Sequence, residues 1–441
     1  MKQKRGISTE RTHWFMPNAM IVMKADIVAK NGQTIEELIQ KLQQAIMRAS
    51  YANETLMSHL VLEPDGEVWY ERLKKPCYLC EVLAQGTDWK AVVNEQERIP
   101  FDFKRGELVR YFLIPTASEV HIILMAHHLA GDGKSMLILL RDIMNGMNGR
   151  AVVKKRLEIL QKEDIRKFSK ISPMVKLFIA RLNHQWKKDR RVFEEADYKK
   201  MFYGYWNSHE TVIDDIVFTV EETNDILKRC KEYDVSVNSY LTTAILKAYD
   251  SEWTEVGYAV DVRKKNQIGM GNFVSGQAFE TTYVKDVGFR ENAWRTDSLY
   301  KKQLQNSRNK YFTLHFLDRL DNAYIDSACM QIYTDYDTKS SRKLAQMMGY
   351  DGKKRELSLS NLTRFSFAKE DDAYQMENLL FVPPVVPYGV RLFGMVTLDD
   401  KLSVTLHYDH KKVEGKKLFQ RVVEAVRENI ATMESVEAFD L

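Results

Sequence analysis

Residues 127–133 read HHLAGDG and follow directly on the apolar run VHIILMA. Histidine titrates near pH 6.5, so a neutral imidazole can take a proton from a hydroxyl or amine at neutral pH. To do so it must project into a cavity, and the end of a strand is a good mount. Successive strand side chains point to opposite sides. His127 and His128 therefore cannot both face the same space: one is expected to do chemistry and the other to pack inward. Gly131 and Gly133 permit a tight exit from the strand and close approach of backbone or ligand. Asp132 stands just before the next helix, where it can cap the first free N–H groups or brace the loop through a salt bridge. Both roles are architectural, and neither excludes the other.

The elements that must position this stretch alternate strand and helix. AMIVMKADIV reads as a strand, and TIEELIQKLQQAIMRAS as an amphipathic helix with Thr34 at its N-cap and Glu37 closing a capping box. SHLVLEPDGEVWYERL is a hairpin around Pro-Asp-Gly. After the motif, KSMLILLRDIMNGMNG puts Met136, Leu140, Ile143 and Met147 on one helical face. Between Lys154 and Arg191 thirteen Lys/Arg stand against four Asp/Glu, and helical periodicity is weak outside PMVKLFIARLNHQW. This reads as an inter-lobe connector, either a solvated face or a docking surface for phosphate-bearing or acidic partners or a membrane. The second half starts over with DIVFTV, a helix from EETNDILKRC to TAILKAY, and VGYAVDVR. It closes on the strand–turn–strand YGVRLFGMVTLDDKLSVTLHYD and the helix KKLFQRVVEAVRENIATM. The expectation is an α/β (α+β) chain of two lobes with mixed sheets and flanking helices: residues 1–150, a connector over 151–210, and 211–441.

Composition narrows the function classes. Apolar residues make up 44% and charged residues 29% of the 441, as in a soluble globular protein. Lys and Arg exceed Asp and Glu by 65 − 61 = 4, too small an excess to imply nucleic-acid binding. No apolar run approaches the roughly 18 residues of a membrane span. The basic start MKQKRGISTERTHWFMPNAMIVM is interrupted at Pro17 and Asn18, and no small-residue cleavage pattern follows. A cytoplasmic chain is expected, with membrane contact at most peripheral. Four cysteines fit a reducing compartment. Cys77 and Cys80 form a C-x-x-C with neither a second ligand pair nor a helix start, so they read as structural, and no metal site is expected.

The spacing H-H-x-x-x-D-G, between an apolar strand and an amphipathic helix, resembles the active-site motif of the chloramphenicol-acetyltransferase-like superfamily. That group includes nonribosomal peptide condensation domains, alcohol and wax-ester acyltransferases and plant BAHD acyltransferases. IPFDFKRGELVRYFLI looks like the family's segment before the motif strand, VSVNSYLTTAILKAY like the helix opening its second lobe, and YAVDVRKKNQIGMGNF like its strand–Arg and Gly-Asn pieces. LSLSNLTRF is similar to the second-lobe strand that faces the active site. Three departures stand out: Met125 where many members have a third histidine, no Asp-Phe-Gly-Trp-Gly, and Thr363 where several relatives carry glycine.

The resemblance implies two lobes meeting at a tunnel, with donor thioester and acceptor entering from opposite faces. It implies that His128 is the general base, with His127, Asp132, Gly133 and Arg263 holding the motif. Arg263 would pair with Asp132 across the lobes, Arg48 being the rival partner. Ser358, Ser360 and Asn361 are the candidates for the oxyanion, Gly271 and Asn272 would shape a turn near the tunnel mouth, and scattered Met and Phe residues would line an acyl pocket. It implies no tightly bound cofactor; the co-substrate is acyl-CoA or another phosphopantetheinyl thioester, and the acceptor a small alcohol or amine. The alternatives are a free-standing condensation enzyme fed by an acyl carrier protein, and a catalytically silent binding or scaffold relative.

Overall fold

The computed structural model describes residues 4–437 other than 8, 31, 161, 352–355 and 370, without the side chains of 4, 307, 309 and 432–437. Two mixed sheets dominate. The first orders the strands Tyr374–Val382, Met20–Ala29, Glu119–His127, Glu107–Pro115 and Cys77–Val82. Its neighbours run antiparallel except the last pair, which is parallel. The second orders Val274–Thr281, Thr254–Asp261, Leu357–Phe365, Arg391–Leu398, Lys401–Asp409 and Thr211–Val217. In it Leu357–Phe365 is parallel to both neighbours and the other pairs are antiparallel. The hairpin read from SHLVLEPDGEVWYERL is present as Ser58–Leu62 and Val68–Arg72, joined by Lys4–Gly6 into a small third sheet. The chain is thus a two-lobed mixed α/β fold.

Tyr374–Val382 belongs by sequence to the second half, yet it forms the edge of the first sheet, where Asn378 pairs with Asp26 and Val382 with Val22. From there Phe381 O accepts the Thr405 hydroxyl (2.6 Å) and Leu379 O the Ser403 hydroxyl (2.6 Å) of the second sheet. The lobes are interlocked rather than merely adjacent.

The strand carrying the motif lies between Met20–Ala29 and Glu107–Pro115, so its backbone is paired on both sides. Helix Ile35–Ala52 opens with the expected capping box between Thr34 and Glu37. It packs beside the motif helix Gly133–Met147, whose Met136, Leu140, Ile143 and Met147 are buried as the periodicity requires. The stretch read as one helix after DIVFTV is two, Val220–Tyr233 and Val237–Tyr249, broken where Asp234 turns to φ 53°.

Residues 151–210 contain the helices Lys162–Phe168, Pro173–Trp186 and Glu195–Trp206. Tyr198, Met201, Phe202 and Tyr205 repeat at helical spacing and are buried in the first core together with Leu182 and Trp186. Several cations here are already partnered: Lys155 by buried Asp142, Arg166 by Asp318, Arg190 by Asp321 and Arg191 by Asp197. Lys187 and Lys188 stand exposed. Among the described residues no helix is long and apolar enough to cross a membrane.

Candidate functional site

The motif strand ends at His127, and a single 3-10 turn, His128–Ala130, leads into the helix. The two histidine rings diverge there. His127 is 2% exposed and wedged edge-on against Phe101 and Phe103, at ring-centroid distances of 5.6 and 4.8 Å. Its Nδ1 accepts the Leu129 N–H (3.2 Å), which places the proton of the neutral ring on Nε2. Burial, followed by the charges on His128 and Arg110, holds His127 well below the ordinary histidine range.

His128 is half-buried and lines the cavity between the lobes. Its N–H donates to Ala19 O (2.8 Å), and the Tyr70 hydroxyl secures the next carbonyl, Leu129 O (2.7 Å). Burial pushes the imidazole down to about 4, with Asp132 partly opposing. The ring is therefore unprotonated at neutral pH and able to accept a proton.

Asp132 fills both roles open to it. As N-cap of the motif helix, its Oδ1 accepts the Ser135 N–H (2.8 Å). The same oxygen lies 3.1 Å from Arg263 Nη2, and Oδ2 accepts the Phe273 N–H (2.9 Å). Arg263 also donates to Gly269 O (2.7 Å) and Ser135 Oγ (2.9 Å), and its guanidinium lies over the Phe273 ring. Asp132 and Arg263 thus clamp the loop 262–273 to the motif, while the rival Arg48 is exposed on helix Ile35–Ala52. Gly271 sits in that clamp where any Cβ would fall 2.0 Å from Glu158 O, so backbone contact excludes a side chain. Gly133 faces the second lobe, its hypothetical Cβ 2.7 Å from Leu362.

The cavity has a volume of about 480 Å³ and takes walls from both halves of the chain. Ser358, Ser360 and Asn361 line it, as does Asn272. Among the described residues Ser358 Oγ is buried without a hydrogen-bond partner, which leaves a donor free. Asn361 uses its Oδ1 to accept the Thr363 N–H (2.7 Å). That bond supports a bulge at which Thr363 adopts φ 67°, the left-handed region where glycine, the residue of several resembling chains, is at ease. Leu314, Phe316, Met347, Met348 and Phe381 make much of the remaining wall apolar.

Sequence reading missed three contributors. His13 lines the cavity and stacks on His128, and Lys134 and Asp261 form an ion pair (2.7 Å) at its wall. Lys134 follows Gly133 directly and could have been suspected. His13 lies more than a hundred residues from the motif, in THWF, and no spacing announces it.

Two clusters fall outside this site. Asp26, Glu119 and His121 bring three ligand-capable side chains within 4.8 Å of one another. Burial opposes ionisation of Asp26, yet the bonds from His121, Lys24 and Asn378 hold it at about 2. Lys24 already supplies the cation there. Cys77 and Cys80 are free on an edge strand, and burial pushes the Cys80 thiol to about 11, far from a reactive thiolate.

No family model matches the chain. Gramicidin S synthase 1 from Brevibacillus brevis is 21% identical over 308 residues, 63% of this chain, and the match spans only 28% of that protein. Three solved structures illustrate the fold. The first condensation domain of the calcium-dependent antibiotic synthetase, in complex with a substrate analogue, superposes with a TM-score of 0.65 at 12% identity, covering 97% of each chain. The trichothecene 15-O-acetyltransferase from Fusarium sporotrichioides gives 0.64 at 12% identity over 96% of this chain and 94% of its own. The epimerization domain from the third module of tyrocidine synthetase B gives 0.60 at 16% identity over 98% and 96%. The chain therefore has the two-lobed chloramphenicol-acetyltransferase-like fold of condensation domains and related acyltransferases.

Proposed function

We propose that the chain is an acyltransferase that moves an acyl group from a thioester, acyl-CoA in the first instance, to the hydroxyl or amine of a small acceptor. The observation that carries this reading is His128: a neutral imidazole on the wall of a cavity shared by both lobes, at the end of a strand whose exit is clamped by Asp132 and Arg263. His128 takes the acceptor proton as the acceptor oxygen or nitrogen bonds to the thioester carbonyl carbon. The carbonyl electrons move onto oxygen, and Ser358, Ser360 and Asn361 are the groups placed to donate to that oxyanion. When the intermediate collapses the C–S bond breaks, and the leaving thiolate recovers the proton from His128. The apolar wall of Leu314, Phe316, Met347 and Met348 suits a hydrocarbon acyl group.

The second reading keeps the chemistry and replaces coenzyme A by an acyl carrier protein; the condensation domains among the similar structures favour keeping it in view. Lys187 and Lys188 are exposed cations on which phosphate or an acidic carrier would act. The test is incubation with a panel of acyl-CoAs, with and without a loaded carrier protein, and mass spectrometry of candidate alcohols and amines. Acylated acceptor that disappears in His128→Ala supports the reading. No transfer from any donor would return the fold to a binding or scaffold role.

A further inference from the structure

His128 Nδ1 is enclosed and has no hydrogen-bond partner among the described residues. In a working histidine base the nitrogen away from the substrate is ordinarily tied to a carboxylate or carbonyl, which fixes the tautomer and the rotation of the ring. The backbone around His128 is pinned at Ala19 O and Leu129 O. Rotation about Cβ–Cγ, an intrinsically soft torsion, is not fixed by any such bond.

A ring face takes the place of that bond. The imidazole of His13 lies parallel to that of His128, with centroids 4.2 Å apart and planes 8° from parallel. His13 sits on a helix of four residues, Arg11–Trp14, far too short to be rigid alone. Yet the segment is anchored heavily. Arg11 is 1% exposed and bonds Asp326 with two nitrogens and Gly66 O with the third (2.7 Å). Trp14 packs on Phe103, and Phe15 on Phe193 and Tyr198. These contacts knit the segment into the first core and hold the His13 ring still against His128.

We propose that His13 is the positioning residue of the site, holding the His128 ring by face contact where a hydrogen bond to Nδ1 would usually serve. This rests on the reading of His128 as the base. Tilting of the His128 ring out of the stacking plane would drive one ring edge into the other, so the plane of the ring is kept. Burial, then the charges on His128 and His127, keep His13 well below the ordinary histidine range, whereas Asp132 favours a proton on His128. The other charged groups around the pair are Glu10 and Arg11 on the short helix, Arg110 behind His127, and Lys134, Asp261 and Glu255 on the cavity wall.

The test needs no substrate. With histidine labelled by ¹⁵N in the full chain, NMR reads the tautomer and titration of His128 in wild type, His13→Ala and His13→Phe. In the wild type one tautomer should dominate and the midpoint should lie well below pH 6. His13→Ala should mix the tautomers, raise the midpoint by more than about one pH unit as water enters, and accelerate carbethoxylation of His128. His13→Phe, which restores a flat ring, should restore both. An unchanged His128 in folded His13→Ala overturns the proposal. So does a wild-type midpoint near 6.5, which keeps the test decisive if the alanine variant does not fold. Once a substrate is in hand, His13→Ala should lower kcat more than it changes KM. Loss of activity in His128→Ala with an unperturbed His128 in His13→Ala would sink the positioning role alone; a tautomer shift without any acyl transfer would sink the functional reading alone.

Discussion

Acidification from pH 7 to 4.5 should cost the wild-type protein about 2 kcal/mol more folding stability than it costs His128→Phe. The magnitude follows from one group. The unfolded His128 titrates near 6.5, whereas in the fold burial holds it at about 4. Between these values the unfolded chain binds a proton that the folded chain refuses, so stability is fully present above pH 6.5 and is lost as pH falls toward 4. Integrated over pH 7 to 4.5 at about 1.36 kcal/mol per unit of pKa difference, the loss is about 2 kcal/mol. Phenylalanine does not titrate and preserves a ring against His13, so the comparison removes the His128 proton and keeps the stack. The assay is urea denaturation of both proteins at pH 7.0, 6.0, 5.2 and 4.5, read as the difference in their pH slopes. His13 and His127 are depressed in both proteins and contribute the same sign to each. Parallel stability curves for the two proteins would mean that His128 is hydrated in solution, and the argument for a neutral enclosed base would fail.

The remaining expectations are as direct. Asp132→Ala leaves the Arg263 guanidinium, only 9% exposed, without its carboxylate and should destabilise by about 3–5 kcal/mol in the same urea assay; a loss under 1 kcal/mol would mean the clamp is not what holds the loop. His128→Ala should stay folded while kcat drops by about 10² to 10⁴, whereas His127→Ala should act through stability, by about 1–3 kcal/mol; wild-type turnover in folded His128→Ala refutes the mechanism. Thr363→Gly should raise stability by about 1 kcal/mol, because the strain of a left-handed β-branched residue exceeds the added freedom of an unfolded glycine, and a lower Tm would show that the strain is relieved elsewhere. Reversing charge at Lys187 and Lys188 should raise donor KM most at low salt, where the Debye length is longest; donor kinetics indifferent to both would make these lysines mere solvated surface.

What could be read from the sequence is what local spacing encodes. The apolar strand before His127, the cap at Thr34 and the apolar face of Met136, Leu140, Ile143 and Met147 each depend on neighbours within a few residues, and the structure follows them. The fold came from the motif resemblance and from the mixture of strands and helices. Even local signals were not all taken: Tyr198, Met201, Phe202 and Tyr205 carry a clear helical period that the surrounding positive charge obscured. The crossover of Tyr374–Val382 into the first sheet was not legible, since a strand's own pattern says which face it buries but not which strand it joins.

The site divides along the same line, and the division explains why its least obvious member is His13. Asp132 must follow the strand and precede the helix because capping is a three-residue relation, so its position is written in the motif. Arg263 is reachable by resemblance because a charge pair across lobes needs specific partners at both ends. A stacked face needs neither a fixed spacing nor a complementary charge; any flat ring delivered to within about 4–5 Å satisfies it. What it does require is a rigid delivery, and here that comes from Arg11, 1% exposed and bonded to Asp326 315 positions away. The informative feature is thus not only the histidine in THWF but the arginine two residues before it, a charge whose burial would be unfavourable without Asp326 and Gly66 O to pair it.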